Sequence, residues 1–199
     1  MDLYYAPNTI AVASLIACTE AQVDITPVRL DFKTGDQTKP DYHAINPKGR
    51  VPTLITPNGP LTETIAILEF ACPALVPSDP WEAAKMREVM TYLATTMHVN
   101  HAHKMRGARW ADKEDSRADM TAKVPETMTA SCTYIESKLA GPFVLGDTMT
   151  AADPYLFAIC LWLEGDGVDV DAFPKITAFM AAMEARPSVQ KARSEGWIA

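Results

Sequence analysis

Three prolines between Cys72 and Trp81, at positions 73, 77 and 80, divide the chain into two stretches that obey different rules. Each removes a backbone donor and biases its predecessor away from the helical region, so no helix and no central strand can run through this segment. After it, no stretch shows alternating β-branched residues. Long helical patterns at 83–110, 117–139, 151–164 and 173–185 predict a bundle instead. The expected division is a first unit over 1–72, a linker over 73–81 and an all-helical unit over 82–199.

The first unit mixes strands and helices. Residues 2–6 read as a short strand, Pro7-Asn8-Thr9 as a turn, and Ile10, Val12, Ala13, Ile16 and Ala17 as the apolar positions of a helix. Over 25–32, Val28, Leu30 and Phe32 share one face and Arg29 and Asp31 the other, the period of a half-buried strand. Strands at 51–56 and 61–62 flank Pro57-Asn58-Gly59-Pro60, where Asn58-Gly59 is expected to supply the positive φ angles of a hairpin turn. A helix follows over 63–70. The order β-α-β then β-β-α predicts a small mixed sheet, too small for a doubly wound dinucleotide fold.

Composition limits function. With 48 % hydrophobic residues in 199, disorder is not the expected state. No apolar run nears the ~20 residues of a membrane span, and the opening MDLYYAPNT lacks a signal-peptide layout, so a soluble cytoplasmic protein without a membrane partner is expected. Cys18, Cys72, Cys132 and Cys160 lie far apart with no C-x-x-C pair, which reads as reduced, buried thiols. A formal charge of −7 argues against nucleic-acid binding. Residues 104–117 are the local basic exception.

Two neighbouring segments suggest a site. In Asn46-Pro47-Lys48-Gly49-Arg50-Val51-Pro52-Thr53-Leu54, Pro52 opens a strand. A cis Val51–Pro52 bond would turn the Val51 backbone groups toward a peptide-like ligand; a rigid edge-strand turn explains the proline equally well. Ten residues on, Thr62-Glu63-Thr64 sits at a strand-to-helix junction, where unpaired N–H groups and the Thr64 hydroxyl suit a carboxylate and Glu63 suits an ammonium. The simpler reading is an N-cap with an acidic first turn.

N-P-K-G-R-V-P-T-L followed by L-T-E-T-I-A-I-L resembles the glutathione-binding half of the cytosolic glutathione S-transferases, and the likeness runs along the whole chain. It implies a thioredoxin-like first domain and an all-helical second one. It also implies a cis Pro52, pairing of Val51 with the cysteinyl backbone of glutathione, and a γ-glutamyl grip by Glu63 and Thr64, with threonine where serine is usual. Gly146 to Asp153 resembles the family's internal capping box, in which Thr150 and Asp153 satisfy each other's donors. The opening L-Y-Y-A-P is similar to the bacterial beta type, whose glutathione-linked cysteine falls at Ile10 here. Mixed-disulfide chemistry at that position is therefore ruled out. The Ser-Ser-Cys stretch of the maleylacetoacetate isomerase type is also missing. Lys33 matches a beta-type lysine near the glycyl carboxylate, and Arg50 is grouped with the glutathione-binding residues. No cofactor is expected beyond glutathione as co-substrate, and the resemblance implies a homodimer.

A thiol of pKa ~8.5 must be held as its anion to act as a nucleophile. The turn before the first helix is where such an anion would sit: Thr9 leads as its donor, then Asn8, with Tyr5 as the third candidate or a core residue. Near the end of the long helix, His98, His101 and His103 gather with Lys104, Arg106, Arg109 and Trp110. A metal site lacks a nearby carboxylate or cysteine, so none is assigned. Dipole compensation accounts for Arg106 and Arg109. The favoured reading, by likeness to a beta-type His-Lys pair, makes His103, Lys104, Arg106 and Trp110 a wall for small hydrophobic or anionic electrophiles. The expected activity is transfer of glutathione to such an electrophile, or glutathione-dependent peroxide reduction. The alternative is a catalytically weak ligand-binding or interaction scaffold of the same fold.

Overall fold

A computed structural model describes residues 1–199. The first half is a four-stranded sheet: β1 (Asp2–Tyr5), β2 (Thr26–Arg29), β3 (Thr53–Thr56) and β4 (Gly59–Thr62), in the order β2-β1-β3-β4. β1 and β2 run parallel, joined through helix α1 (Ala11–Glu20), while β3 and β4 form an antiparallel hairpin on the other side of β1. This is the small mixed sheet that the β-α-β, β-β-α order predicts, in the thioredoxin-like arrangement that the family resemblance implies. The hairpin turn differs in detail. Thr56 pairs with Gly59, so Pro57 and Asn58 form the turn, and of Asn58 and Gly59 only Gly59 takes a positive φ, of 108°. Pro57 presets the first turn position and leaves Asn58 no need for the left-handed region.

β2 is shorter than expected. After Leu30 the chain leaves the sheet into a turn tied by Asp36, whose carboxylate accepts from the Asp31 N–H at 2.8 Å and the Thr34 hydroxyl at 2.8 Å. A short helix α2 (Pro40–Ile45) follows, which the sequence reading did not contain although Pro40 stands at its first position. Then come α3 (Thr64–Ala71) and a single 3-10 turn (Pro73–Leu75).

The second half is helical throughout: α4 (Pro80–Tyr92), α5 (His98–Arg106), α6 (Glu114–Lys138), α7 (Ala152–Cys160), α8 (Pro174–Glu184) and α9 (Pro187–Ser194). The helix expected over 83–110 is two helices joined by a π-helical turn, Leu93–Met97, and closed by a 3-10 turn, Gly107–Arg109. Asp79 caps α4, its Oδ1 accepting from the Trp81 and Glu82 N–H groups, each at 2.9 Å.

Two helices are buried on nearly every side. In α1, Ala11 to Cys18 are buried without a break; in α7 every residue is. They pack on each other, and α1 also meets the sheet, α3 and α9, so a single apolar cluster runs through both halves. Leu15 and Ile16 are fully buried, and truncating Leu15 to alanine is expected to cost about 3 kcal/mol. At the head of α7, Asp153 accepts from the Val144 N–H (2.7 Å), the Thr150 N–H (2.6 Å) and the Thr150 hydroxyl (3.0 Å). The expected exchange of caps is thus one-sided: the Thr150 hydroxyl donates to Asp153 rather than accepting from its backbone.

Candidate active site

Packing α1 against α7 leaves a cleft of about 780 Å³ where the turn before α1, the loop before β3, the start of α3 and one face of α5 converge. Its size is that of a small-molecule site.

The loop from Asn46 to Pro52 is built on buried polar contacts. Asn46, 1 % exposed, donates from Nδ2 to the Arg50 carbonyl (2.8 Å) and the Thr53 hydroxyl (2.9 Å), and the Tyr42 hydroxyl donates to the same carbonyl at 2.6 Å. Gly49 holds φ at 60°, and a Cβ there would lie 2.8 Å from the Gln37 carbonyl oxygen, so only glycine fits. The Val51–Pro52 bond is cis. The N–H and C=O of Val51 find no backbone partner and line the cleft.

Next to them, Glu63 turns the chain from β4 into α3 with a φ of 73°, a conformation costly for any residue with a Cβ. Thr64, 7 % exposed, is the first residue of α3, at its positive end, and faces the cleft. The Glu63 carboxylate is already engaged by the Lys48 ammonium, which also donates to the Thr62 hydroxyl at 2.7 Å.

At the turn before α1, Asn8 occupies the left-handed region at φ 57°, which asparagine tolerates. Its N–H donates to the Trp197 carbonyl (3.0 Å), its carbonyl accepts from the Trp162 indole N–H (3.1 Å), and its Oδ1 accepts from the Ala199 N–H (2.9 Å). Because the Ala199 partner is a donor, the facing amide atom must be oxygen, which leaves Nδ2 uncommitted at the cleft. The Thr9 hydroxyl donates to the Ala6 carbonyl at 2.7 Å, so its proton is spent. Tyr5 is a core residue rather than a cleft residue: 6 % exposed, its ring edge-on to Trp197 at 6.3 Å, its phenol pushed upward chiefly by burial.

The α5 wall corrects the expected one. Spacing of three and four residues puts His98, His101, Ala102, Met105, Arg106 and Arg109 on the cleft side, with Trp110 beyond them. His103 and Lys104 fall to the flank. His103 meets the Trp110 ring edge-on at 4.7 Å, and Lys104 Nζ lies 3.5 Å from Asp166 Oδ1. Lys33 is likewise outside the cleft, exposed on the turn after β2, where its N–H donates to Asp31. Burial, followed by the charges of His101, Arg106, Arg109 and Arg50, pushes His98 down to about 4.

The sequence reading missed Asp166, Trp162 and Tyr155. Asp166, its side chain 1 % exposed, holds His101 Nδ1 at 2.7 Å from Oδ2; His101 stacks on Trp162 at 4.1 Å and 19°. That carboxylate is the one the histidine cluster lacked in the sequence, but no three of His, Cys, Asp and Glu come together as a metal set. Tyr155 lies in the fully buried α7, whose nine buried residues gave no sign that one of them borders a cleft.

A thioredoxin-like sheet whose loop presents the unpaired backbone of Val51, fused to a helical bundle that closes the other side of the cleft, is the two-domain architecture of a glutathione transferase. The glutathione S-transferase N-terminal domain matches residues 1–71, and the glutathione S-transferase C-terminal domain matches 100–195. The chain belongs to the glutathione S-transferase family. It is 30 % identical to glutathione S-transferase GstA of Escherichia coli O157:H7 over 98 % of both chains. A crystal structure of a glutathione transferase homolog from Sulfitobacter, with bound glutathione, superimposes with a TM-score of 0.96 at 56 % identity over 98 % of each chain. The bacterial transferase BphK, solved as a ternary complex, gives 0.85 at 26 % identity, covering 98 % of this chain and all of that one. No helix is long and apolar enough to cross a membrane.

Proposed function

We propose that the chain binds glutathione in this cleft and uses its thiolate to attack small electrophiles. The observation that carries this reading is the unpaired backbone edge of Val51 facing the cleft beside Thr64 at the start of α3. An extended peptide adds to such an edge, and a γ-glutamyl carboxylate suits the helix start. Arg50, on the same loop, takes the glycyl carboxylate, a role expected of Lys33, which does not line the cleft. Asn8 Nδ2 is the thiolate donor: it is the uncommitted side-chain donor of the turn, held by three hydrogen bonds to the rest of the residue. With an activated aryl chloride, the thiolate forms a C–S bond, chloride leaves with the bonding pair, and the thiol proton goes to solvent. With a peroxide, the same thiolate attacks one oxygen to give the sulfenic acid of glutathione and an alcohol, and a second glutathione condenses with that sulfenic acid to give glutathione disulfide and water, which leave the cleft. The glutathione bound to the Sulfitobacter homolog supports the first part of the reading.

Four free, buried cysteines suit a reducing cytoplasm. Phe70 (50 % exposed) and Trp81 (69 % exposed), on α3 and α4, offer apolar surface for the homodimer proposed here.

Calorimetric titration of glutathione into the parent and Thr64→Val tests the site. Saturable heat in the parent and roughly tenfold weaker binding in the variant are expected, the scale of a lost hydrogen bond to a carboxylate. A folded parent that takes up no glutathione would overturn the proposal in favour of a scaffold role.

A further inference from the structure

The cleft holds more positive charge than glutathione uses. Arg87, Arg117, Arg186 and Arg193 each pair with a glutamate on the protein surface. Arg50, Arg106 and Arg109 all line the cleft, and none forms a salt bridge. The cleft wall contains a single carboxylate, Glu63, and Lys48 occupies it. Asp166 lies beneath the α5 wall, 1 % exposed, and is taken by His101 and Lys104. Three guanidinium groups thus face one concave space without an internal counter-ion, in a chain of net charge −7 that has acids to spare.

Such an arrangement costs free energy while the cleft is empty. The Arg106 guanidinium is held below its usual range, first by burial and then by Arg50; Arg109 is lowered by burial, Arg50 and Arg106. The other groups on the cleft add no relief: His98, on the same helix, is neutral at physiological pH, the Glu63 carboxylate is taken by Lys48, and Trp162, Tyr155 and Phe32 bring no charge. A ligand that supplies negative charge removes this repulsion as it binds.

Resting on the glutathione reading above, we infer that the α5 side of the cleft takes an electrophile carrying a carboxylate, which Arg106 and Arg109 clamp. Arg50 sits on the peptide-reading loop and is matched by the glycyl carboxylate of glutathione. Arg106 and Arg109, three residues apart on the opposite wall, stay free for the second substrate. The planar fork of arginine matches a carboxylate with two parallel hydrogen bonds, which a lysine cannot do. Met105 (76 % exposed) and Trp110 (46 % exposed) flank the pair, so the body that carries the carboxylate is apolar or aromatic. Specificity then comes from charge: a neutral electrophile leaves two guanidinium groups unpaired in a closed complex, whereas the carboxylate satisfies them.

Tryptophan quenching, with Trp110 and Trp162 both at the cleft, reads the binding of 3,5-dinitrobenzoate and of its neutral amide, 3,5-dinitrobenzamide, with and without saturating glutathione. The parent is expected to prefer the carboxylate by at least roughly tenfold, and the Arg106→Gln/Arg109→Gln double variant to lose that preference. A double Arg→Lys variant is expected to recover only part of it, which separates bidentate recognition from general attraction. Equal affinity of the parent for acid and amide overturns the inference, as does a preference that survives the glutamine variant. Parallel loss of glutathione affinity in the variant also overturns it, because the arginines would then belong to glutathione. A parent that binds no glutathione but still selects the acid through these arginines removes the transferase reading and leaves the anion site standing.

Discussion

His101 Nδ1 lies 2.7 Å from Asp166 Oδ2, and this contact begins a relay that reaches the turn before α1. His101 stacks on Trp162, and the Trp162 indole donates to the Asn8 carbonyl at 3.1 Å. A carboxylate buried to 1 % in the helical half thereby helps fix the residue proposed to hold the thiolate in the other half.

Asp166→Ala is expected to destabilise the fold by about 3 kcal/mol, since it strands His101 and Lys104 in a partly buried place. If the relay positions Asn8, the variant also lowers kcat by roughly tenfold while the Kd for glutathione, set at Val51 and Thr64, changes far less. Asp166→Asn keeps one acceptor and recovers part of kcat. Parallel losses in kcat and glutathione affinity would show that the carboxylate supports only the fold.

Asn8→Gly isolates the amide, because glycine accepts the φ of 57° without strain. A hydrogen bond to a charged sulfur contributes about 1.5–3 kcal/mol, so its loss raises the pKa of bound glutathione by roughly 1–2 units. Ultraviolet absorbance of the thiolate, followed against pH, measures it. An unshifted titration in Asn8→Gly would rule Asn8 out and return attention to Thr9.

The peptide-reading loop was legible through motif and family likeness together. Pro52 at a strand start and Thr64 at the next helix start each admitted a plain structural reading, and the likeness decided between them. The α5 wall was not. Reading 83–110 as one unbroken helix hid the π turn at Leu93–Met97, and the likeness of His103-Lys104 to a family pair outweighed the period that puts His98, His101, Arg106 and Arg109 together. Asp166 lies 65 residues from His101, and no periodicity links the two. Tyr5 follows from strand alternation: it shares the buried face with Leu3, so its ring packs into the core rather than lining the cleft.

Asp153 gives a pH dependence with a definite sign. Burial pushes its carboxyl up to about 6, despite the three hydrogen bonds that it accepts. An unfolded aspartate titrates near ~3.9, so between these values the folded state binds the extra proton and stability falls as pH rises. About two units correspond to about 3 kcal/mol, present below pH ~4 and lost by about 6. Urea unfolding of the parent and Asp153→Asn at several pH values isolates the contribution, because other groups cancel in the difference. A parent-minus-variant difference that stays flat, or rises, from pH 4 to 6.5 would contradict the assignment.

His98 reports on the arginines that face it. Burial is the largest cause of its fall to about 4, with His101, Arg106, Arg109 and Arg50 adding to it, so removing one guanidinium should raise it. The proton resonances of His98 in Arg106→Gln are therefore expected to titrate at higher pH than in the parent. Saturating 3,5-dinitrobenzoate should move the parent in the same direction, because a bound anion offsets the same charges. In the parent at neutral pH the imidazole is uncharged, so parent turnover between pH 6 and 8 should show no step from it. A His98 titration indifferent to both Arg106→Gln and the anion would mean that burial alone sets its value and that the guanidinium groups turn away into solvent.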